Sequence, residues 1–166
     1  TRQTTQEVYV NSSSALIVPV TMDEVAYKNC VTSDELNEFF ISLLLNGLAK
    51  AIKHIALPVA LFKDTLDEFR RNHFKNEWVF KSKKIKNPAC TCVLECRLTI
   101  DFFLLSFKVL KSNTCVLDKE ILRTAPDEVV FLPYLKDIKE ENGRIKVIDK
   151  SGMPFYTTTA ASLDKL

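Results

Sequence analysis

The residues with the most chemical potential form a segment in which cations alternate with aromatic rings. It runs from Arg70 to Lys86, and Glu77 is its only carboxylate. Cations can neutralise phosphate while aromatic faces stack on bases, so this pattern is typical of nucleic-acid binding. The same pattern suits an anionic membrane surface or an acidic partner. The candidate binding residues are Arg70, Arg71, Lys75, Trp78, Lys81, Lys83, Lys84 and Lys86.

A structural interpretation of this segment competes with binding. In a strand, Trp78 and Phe80 would share a face with Lys84. Lys81 and Lys83 would lie on the opposite face, which dilutes any single basic patch. Lysines also protect the edge strand of a sheet against pairing with another chain. Nucleic-acid or anionic-surface binding is therefore an alternative and not the first expectation.

Five cysteines could bind a metal or form disulfides, but their number and spacing support neither. An odd count makes a poor disulfide framework. Cys90, Cys92 and Cys96 would share one face of a strand, where neighbours lie about 7 Å apart, at or beyond the usual limit for a bridge. Zinc sites usually combine two closely spaced pairs, and a second pair is missing. We expect free thiols, no metal, no other cofactor and an intracellular protein.

No combination of residues points to catalysis. His54 and His73 fall within predicted helices, and the spacing of neither supports a catalytic triad. Glu95 and Asp101 are the only acids in the apolar stretch 90–110, where the first alternates outward and the second falls at a predicted bend. Glycine-rich phosphate loops and the HExxH, GxSxG and EF-hand motifs do not occur. We therefore predict that the protein is not an enzyme.

The phenylalanines offer a third kind of site. Phe102, Phe103 and Phe107 could line an apolar pocket together with Phe39 and Phe40. Two helices against a curved sheet can hold a lipid or another small ligand in such a pocket. Ordinary core packing is the competing interpretation.

Two amphipathic helices are predicted to position these groups. Thr32 and Glu35 fit a capping box, in which each side chain accepts a hydrogen bond from the other residue's backbone N–H. Apolar residues then recur at helical spacing as far as Ile55 and occupy more than one side of the helix. A second helix with a narrower apolar stripe is predicted over about 58–73. The wide apolar face of the first helix is an expected contact surface.

The remaining segments predict strands. An N-terminal hairpin is expected over 7–20, and another strand over 77–86. Alternation of apolar and polar residues continues over 90–110, with a change of face near Asp101 that indicates a bulge or a bend. A helix over the second half of that stretch is the alternative. Further strands are expected over 115–122, 128–132, 144–148 and 153–158, with a turn at Asn142-Gly143.

This order of elements predicts an α+β fold, with two amphipathic helices packed on a mostly antiparallel β-sheet, an N-terminal hairpin and C-terminal strands. We expect one globular domain over 1–166, loose at 1–6 and at 160–166, where a short helical turn is the alternative. The net charge of +2 argues against a general attraction to nucleic acid or membrane. No apolar run is long enough for a transmembrane segment.

The predicted function is that of a non-enzymatic protein-protein interaction or assembly domain of a larger protein. Its partner would be another protein or a second copy of itself, bound through exposed strand edges and the first helix. One alternative is a nucleic-acid or anionic-surface binding module that uses segment 70–86. A second alternative is a carrier of an apolar small ligand.

Overall fold

A computed structural model describes residues 7–86 and 89–164, with the backbone alone for Asp164. The chain divides into two compact units, residues 1–74 (unit 1) and 75–166 (unit 2), and each is described by itself. Helices and antiparallel sheets are both present, which confirms the α+β class. The packing of the two helices on a sheet and the single domain over 1–166 stay predictions. The predicted loose start, 1–6, lies outside the described residues.

Unit 1 contains a short hairpin followed by three helices, and it confirms the predicted hairpin and both predicted helices. The hairpin strands pair antiparallel. Helix α1 was not predicted. The elements are β1 (Tyr9–Val10), β2 (Leu16–Ile17), α1 (Glu24–Asn29), α2 (Ser33–Ala51) and α3 (Val59–Arg71).

One end of each long helix has a well-defined cap. The predicted capping box of α2 is confirmed, because Thr32 Oγ1 accepts from the Glu35 N–H at 3.2 Å and Glu35 Oε2 accepts from the Thr32 N–H at 2.9 Å. The hydrogen bonds that the Glu35 carboxylate accepts from the backbone N–H groups of Thr32 and Val31 lower its pKa. At the end of α3, Phe74 has a positive φ of 55° and donates its N–H to Phe69 O at 2.9 Å. Such left-handed closing turns satisfy the last carbonyls of a helix.

Unit 2 consists of two antiparallel sheets separated by a short helical segment. The first sheet has its four strands in sequential order, and the second has three. A 3-10 turn, Leu132–Tyr134, follows the intervening helix α4. The elements are β3 (Asn76–Ile85), β4 (Cys90–Leu98), β5 (Phe103–Lys111), β6 (Thr114–Thr124), α4 (Glu128–Phe131), β7 (Asp137–Glu141), β8 (Arg144–Ile148), β9 (Pro154–Thr159) and α5 (Ala160–Asp164).

The core of unit 2 is built from the inner faces of both sheets. Alternate residues of β4 and β5 are fully buried there, and they pack with β7, β8 and α5 in one cluster. Phe131 of α4 closes this core by stacking on Phe103, with ring centroids 4.0 Å apart and an interplanar angle of 7°. A short helix, the alternative to a loose end, forms over 160–164, and its Leu163 is only 1% exposed.

Two predictions for unit 2 are wrong in detail. The stretch 90–110 is a hairpin of two strands, and not one bent strand or a strand followed by a helix. Its turn is closed by Thr99 Oγ1, which accepts from the N–H groups of Asp101 and Phe102. The segment 128–132 forms a helix and not a strand, with Asp127 Oδ1 accepting from the Val129 N–H at 2.9 Å.

Candidate functional site

An apolar groove with a volume of about 320 Å³ lies on unit 1. Helices α2 and α3 form two of its sides, and the segment after β2 forms the third. Every lining residue is apolar: Val18, Val20, Leu43, Leu44, Gly47, Leu48, Ala51, Phe62 and Leu66. The groove can therefore take up an apolar group, but its lining offers no side chain for chemistry.

Gly47 and Lys50 hold the wall of the groove against α2. A Cβ atom at Gly47 would lie only 3.2 Å from Cγ2 of Val20, so the missing side chain lets the segment approach closely. Lys50 Nζ donates a hydrogen bond to Pro19 O at 2.8 Å. Pro19 stands between Val18 and Val20, and this bond fixes both lining residues.

Unit 1 exposes more apolar surface than the groove alone. Leu44 is 51% exposed and Phe62 40%, and Phe40 and Leu61 on the same helices are also exposed. Among the described residues of this unit, only Ile41, Leu48 and Ala51 are buried apolar residues. These exposed side chains lie on the two helices that line the groove.

Arg70, a candidate nucleic-acid contact, is engaged within unit 1. Its guanidinium donates to both carboxylate oxygens of Glu38, at 2.8 Å from Nε and 2.9 Å from Nη2, and to Asp67 at 3.0 Å. The hydrogen bond from Arg70 lowers the pKa of Glu38. Arg71 Nε donates to Asp67 O of its own helix at 3.3 Å. Arg70 thus joins α3 to α2.

The cations of β3 lie in unit 2, and two of them are bound to β7. Lys81 forms an ion pair with Asp137 at 3.2 Å, and Lys83 donates to Ile138 O at 3.1 Å. Burial of Asp137 opposes its ionisation, but the hydrogen bonds from Lys81 and from the Ile138 N–H outweigh burial and lower its pKa. These ammonium groups are therefore already committed to structural contacts.

The other three cations of the segment are exposed. Within the described part of unit 2, they make no hydrogen bond or ion pair. They are Lys75, Lys84 and Lys86.

Trp78 does not share a face with Lys84 as expected from simple alternation. A register shift between Val79 and Lys81 places Trp78 opposite Cys96 and Lys81 opposite Leu94, so both point to the inner side of the sheet. Trp78 is half-buried, and its ring lies 6.2 Å from that of Phe103 in the core. Its position is that of a core residue at the rim of unit 2.

The structure thus places Arg70 and Arg71 in unit 1 and the other six candidate residues in unit 2. None of the five phenylalanines proposed as a pocket lining belongs to the groove. Phe39 and Phe40 pack against Tyr27, at centroid distances of 5.6 and 6.2 Å, and Phe103 and Phe107 belong to the core of unit 2. The groove was missed by sequence reasoning. Its one local signal is Gly47 within an otherwise strong helical pattern.

The five cysteines are free thiols. Burial raises the pKa of Cys92 and of Cys96 to about 12, whereas Cys115 is exposed. In residues 7–86 and 89–164, no group of three His, Cys, Asp or Glu residues is arranged to hold a metal ion. No helix in those ranges is long and apolar enough to cross a membrane.

Comparisons with protein-family models, with curated proteins and with solved structures found no match.

We expect Arg70→Ala to loosen the attachment of α3 to α2. Loss of the bidentate hydrogen bonds to Glu38 should raise the hydrogen-exchange rates of the α3 amides severalfold. Bidentate arginine–carboxylate hydrogen bonds are stronger than hydrogen bonds between neutral groups. Exchange followed by mass spectrometry at moderate salt would measure this. Arg71→Ala removes the neighbouring cation without breaking the link to α2 and serves as the control. Equal exchange rates in the two variants would contradict the structural role of Arg70.

Proposed function

We propose that this protein is a non-enzymatic interaction domain and that unit 1 binds an amphipathic helix of a partner protein in its apolar groove. The observation that carries the proposal is the entirely apolar lining of the groove. Removal of such surface from water is the main favourable contribution to most protein–protein association. Exposed Leu44 and Phe62 stand on opposite helices, so one inserted side chain would contact both.

The dimensions of the groove fit a helix. The lining residues of α2 extend from Leu43 to Ala51, which at 1.5 Å per residue is about 12 Å, or roughly two turns. Amphipathic helices insert residues i, i+4 and i+7 into grooves of this length. Exposed Phe40, one turn before Leu44 on α2, would be covered by the flank of such a helix.

A carrier of an apolar small ligand is the second candidate. The volume of about 320 Å³ is at the lower end of the range of small-molecule sites. Such sites usually carry a few polar groups that orient the ligand, and the lining has none. Native mass spectrometry of the purified protein would reveal a retained ligand.

Nucleic-acid or anionic-surface binding by segment 70–86 has weaker support. Arg70, Lys81 and Lys83 are engaged in contacts within their own units. The remaining exposed cations would give a shallow dependence of affinity on salt, because each phosphate contact adds about one unit of slope.

The proposal is tested with a fluorescein-labelled helical peptide that carries leucine at i, i+4 and i+7. Fluorescence anisotropy with the full chain should show binding that Leu44→Glu and Phe62→Glu weaken at least roughly tenfold, because each variant would bury a charge without a partner. Both side chains are partly exposed, so the variants should remain folded.

Leu61→Glu is the matched control for Phe62→Glu. Leu61 is 63% exposed on the same helix and does not line the groove, so its replacement should change the affinity by less than about twofold. Absence of binding to the native chain, or an equal loss in the Leu61 variant, would contradict the groove as the contact site. Sedimentation of the unliganded protein shows whether a second copy occupies the groove instead.

A further inference from the structure

The apolar groove of unit 1 has a cation at one end. Lys50 lies in the last turn of α2, directly before the lining residue Ala51. Its ammonium group lies 2.8 Å from Pro19 O, between the lining residues Val18 and Val20. Among the residues that the structure describes, no carboxylate forms an ion pair with Lys50. A carbonyl oxygen uses one donor of the ammonium group and does not neutralise its charge.

The opposite end of the groove carries charges of both signs. Glu38 precedes the lining residues of α2, and Asp67 directly follows Leu66 on α3. Arg70 is the one cation that these two carboxylates share, at 2.8 and 3.0 Å. Arg71 Nε also donates to Asp67 O, at 3.3 Å, so the two carboxylates at this end face two guanidinium groups, whereas Lys50 has no carboxylate partner among the described residues.

We infer that the groove selects an amphipathic helix that presents a carboxylate to Lys50 just beyond its apolar residues. The inference rests on the proposed function and names the chemistry of its partner. The helix dipole fixes the direction, because the partly negative C-terminus of the bound helix is stabilised near Lys50. The partner helix thus runs parallel to α2, with its acidic residue in its last turn.

Two labelled peptides test this inference with the full chain. Both carry leucine at i, i+4 and i+7, and they differ only in the next turn, where one has glutamate and the other glutamine. Anisotropy at low salt should show that the glutamate peptide binds roughly three- to tenfold tighter. Lys50→Met should abolish this ratio, and Lys50→Arg should restore it. Collapse of the Val18–Val20 wall would by itself weaken the binding of both peptides by the same factor. It could therefore not produce a loss of the preference for glutamate.

Each outcome decides between the inference and the function on which it rests. A preference for the glutamate peptide that depends on a cation at residue 50 supports the inference. Equal affinities in the native chain overturn it but leave the proposed function standing. If neither peptide binds, the proposed function fails as well. Binding of dodecanoate without binding of either peptide would assign the groove to a small amphiphile and overturn the inference.

Discussion

Phe103→Ala is expected to lower the free energy of unfolding of unit 2 by about 3–5 kcal/mol, the usual cost of removing a buried phenylalanine ring. The side chain is fully buried, stacks on Phe131 at 4.0 Å and contacts the ring of Trp78. Domains are stable by only about 5–15 kcal/mol, so this loss removes much of the margin. Urea unfolding followed by fluorescence would measure it, because Trp78 is the sole tryptophan of the chain.

Phe102→Ala is the matched control for this substitution. Phe102 is the preceding residue, half-buried in the hairpin turn, with the Arg123 guanidinium 4.2 Å from its ring centroid. We expect a loss of about 1 kcal/mol there, since a partly exposed ring leaves no closed cavity. A double-mutant cycle between Phe103 and Phe131 should give a coupling of about 0.5–1.5 kcal/mol. Equal losses of stability in Phe102→Ala and Phe103→Ala would show that α4 does not close the core over Phe103.

The helices of unit 1 could be predicted because their signals are local. The capping box needs only Thr32 and Glu35, three residues apart, and the apolar spacing of α2 is visible in one window of sequence. Helix α1 was missed because it is only six residues long and has no buried residue. Its one clear signal is the cap at Asp23, which accepts from two backbone N–H groups.

The hairpin over 90–111 shows where alternation misleads. Both strands present apolar residues to the same core, so the change of parity at Asp101 is produced by a turn between two strands. The turn contains neither glycine nor proline, and the hydroxyl of Thr99 closes it. Without a glycine or proline to mark it, such a turn produces the same change of alternation in the sequence as a one-residue bulge.

Segment 128–132 shows tertiary packing overriding propensity. Val129 and Val130 favour a strand. The structure instead caps a short helix with Asp127 and thereby places Phe131 on Phe103. That contact joins residues distant in the chain and is not visible in the local sequence.

The candidate sites depend on such long-range contacts even more. Arg70 and Glu38 are 32 residues apart, so sequence alone could not show that a presumed binding cation was already paired. The groove requires the approach of Val20 to Gly47, from a loop to a helix. Sequence predicted a wide apolar face on α2, but the third side of the groove and the cation at its rim come from the fold.

Raising the pH above 9 is expected to destabilise unit 2 through two buried thiols. Burial raises the pKa of Cys92 and of Cys96 from the ordinary value of 9.0 to about 12. The pKa of each thiol is higher in the folded protein than in the unfolded chain. The stabilisation that comes from burying both thiols in their neutral form is therefore complete below pH 9 and is lost between pH 9 and 12. Each thiol should cost about 1.4 kcal/mol per pH unit in that window, or roughly 3 kcal/mol for both at pH 10.

Urea midpoints at pH 7 and pH 10, compared between variants, would isolate these thiols from other groups that titrate in the same range. Cys96→Ala should lose about half of the excess pH dependence, because its thiol no longer ionises on unfolding. Cys115→Ala removes an exposed thiol on the same sheet and serves as the control. An unaltered pH dependence in the Cys96 variant would mean that its thiol ionises as readily in the folded protein as in the unfolded chain. The inner face of β4 would then be open to water and not the closed core that the packing of Phe103, Phe107 and Ile145 implies.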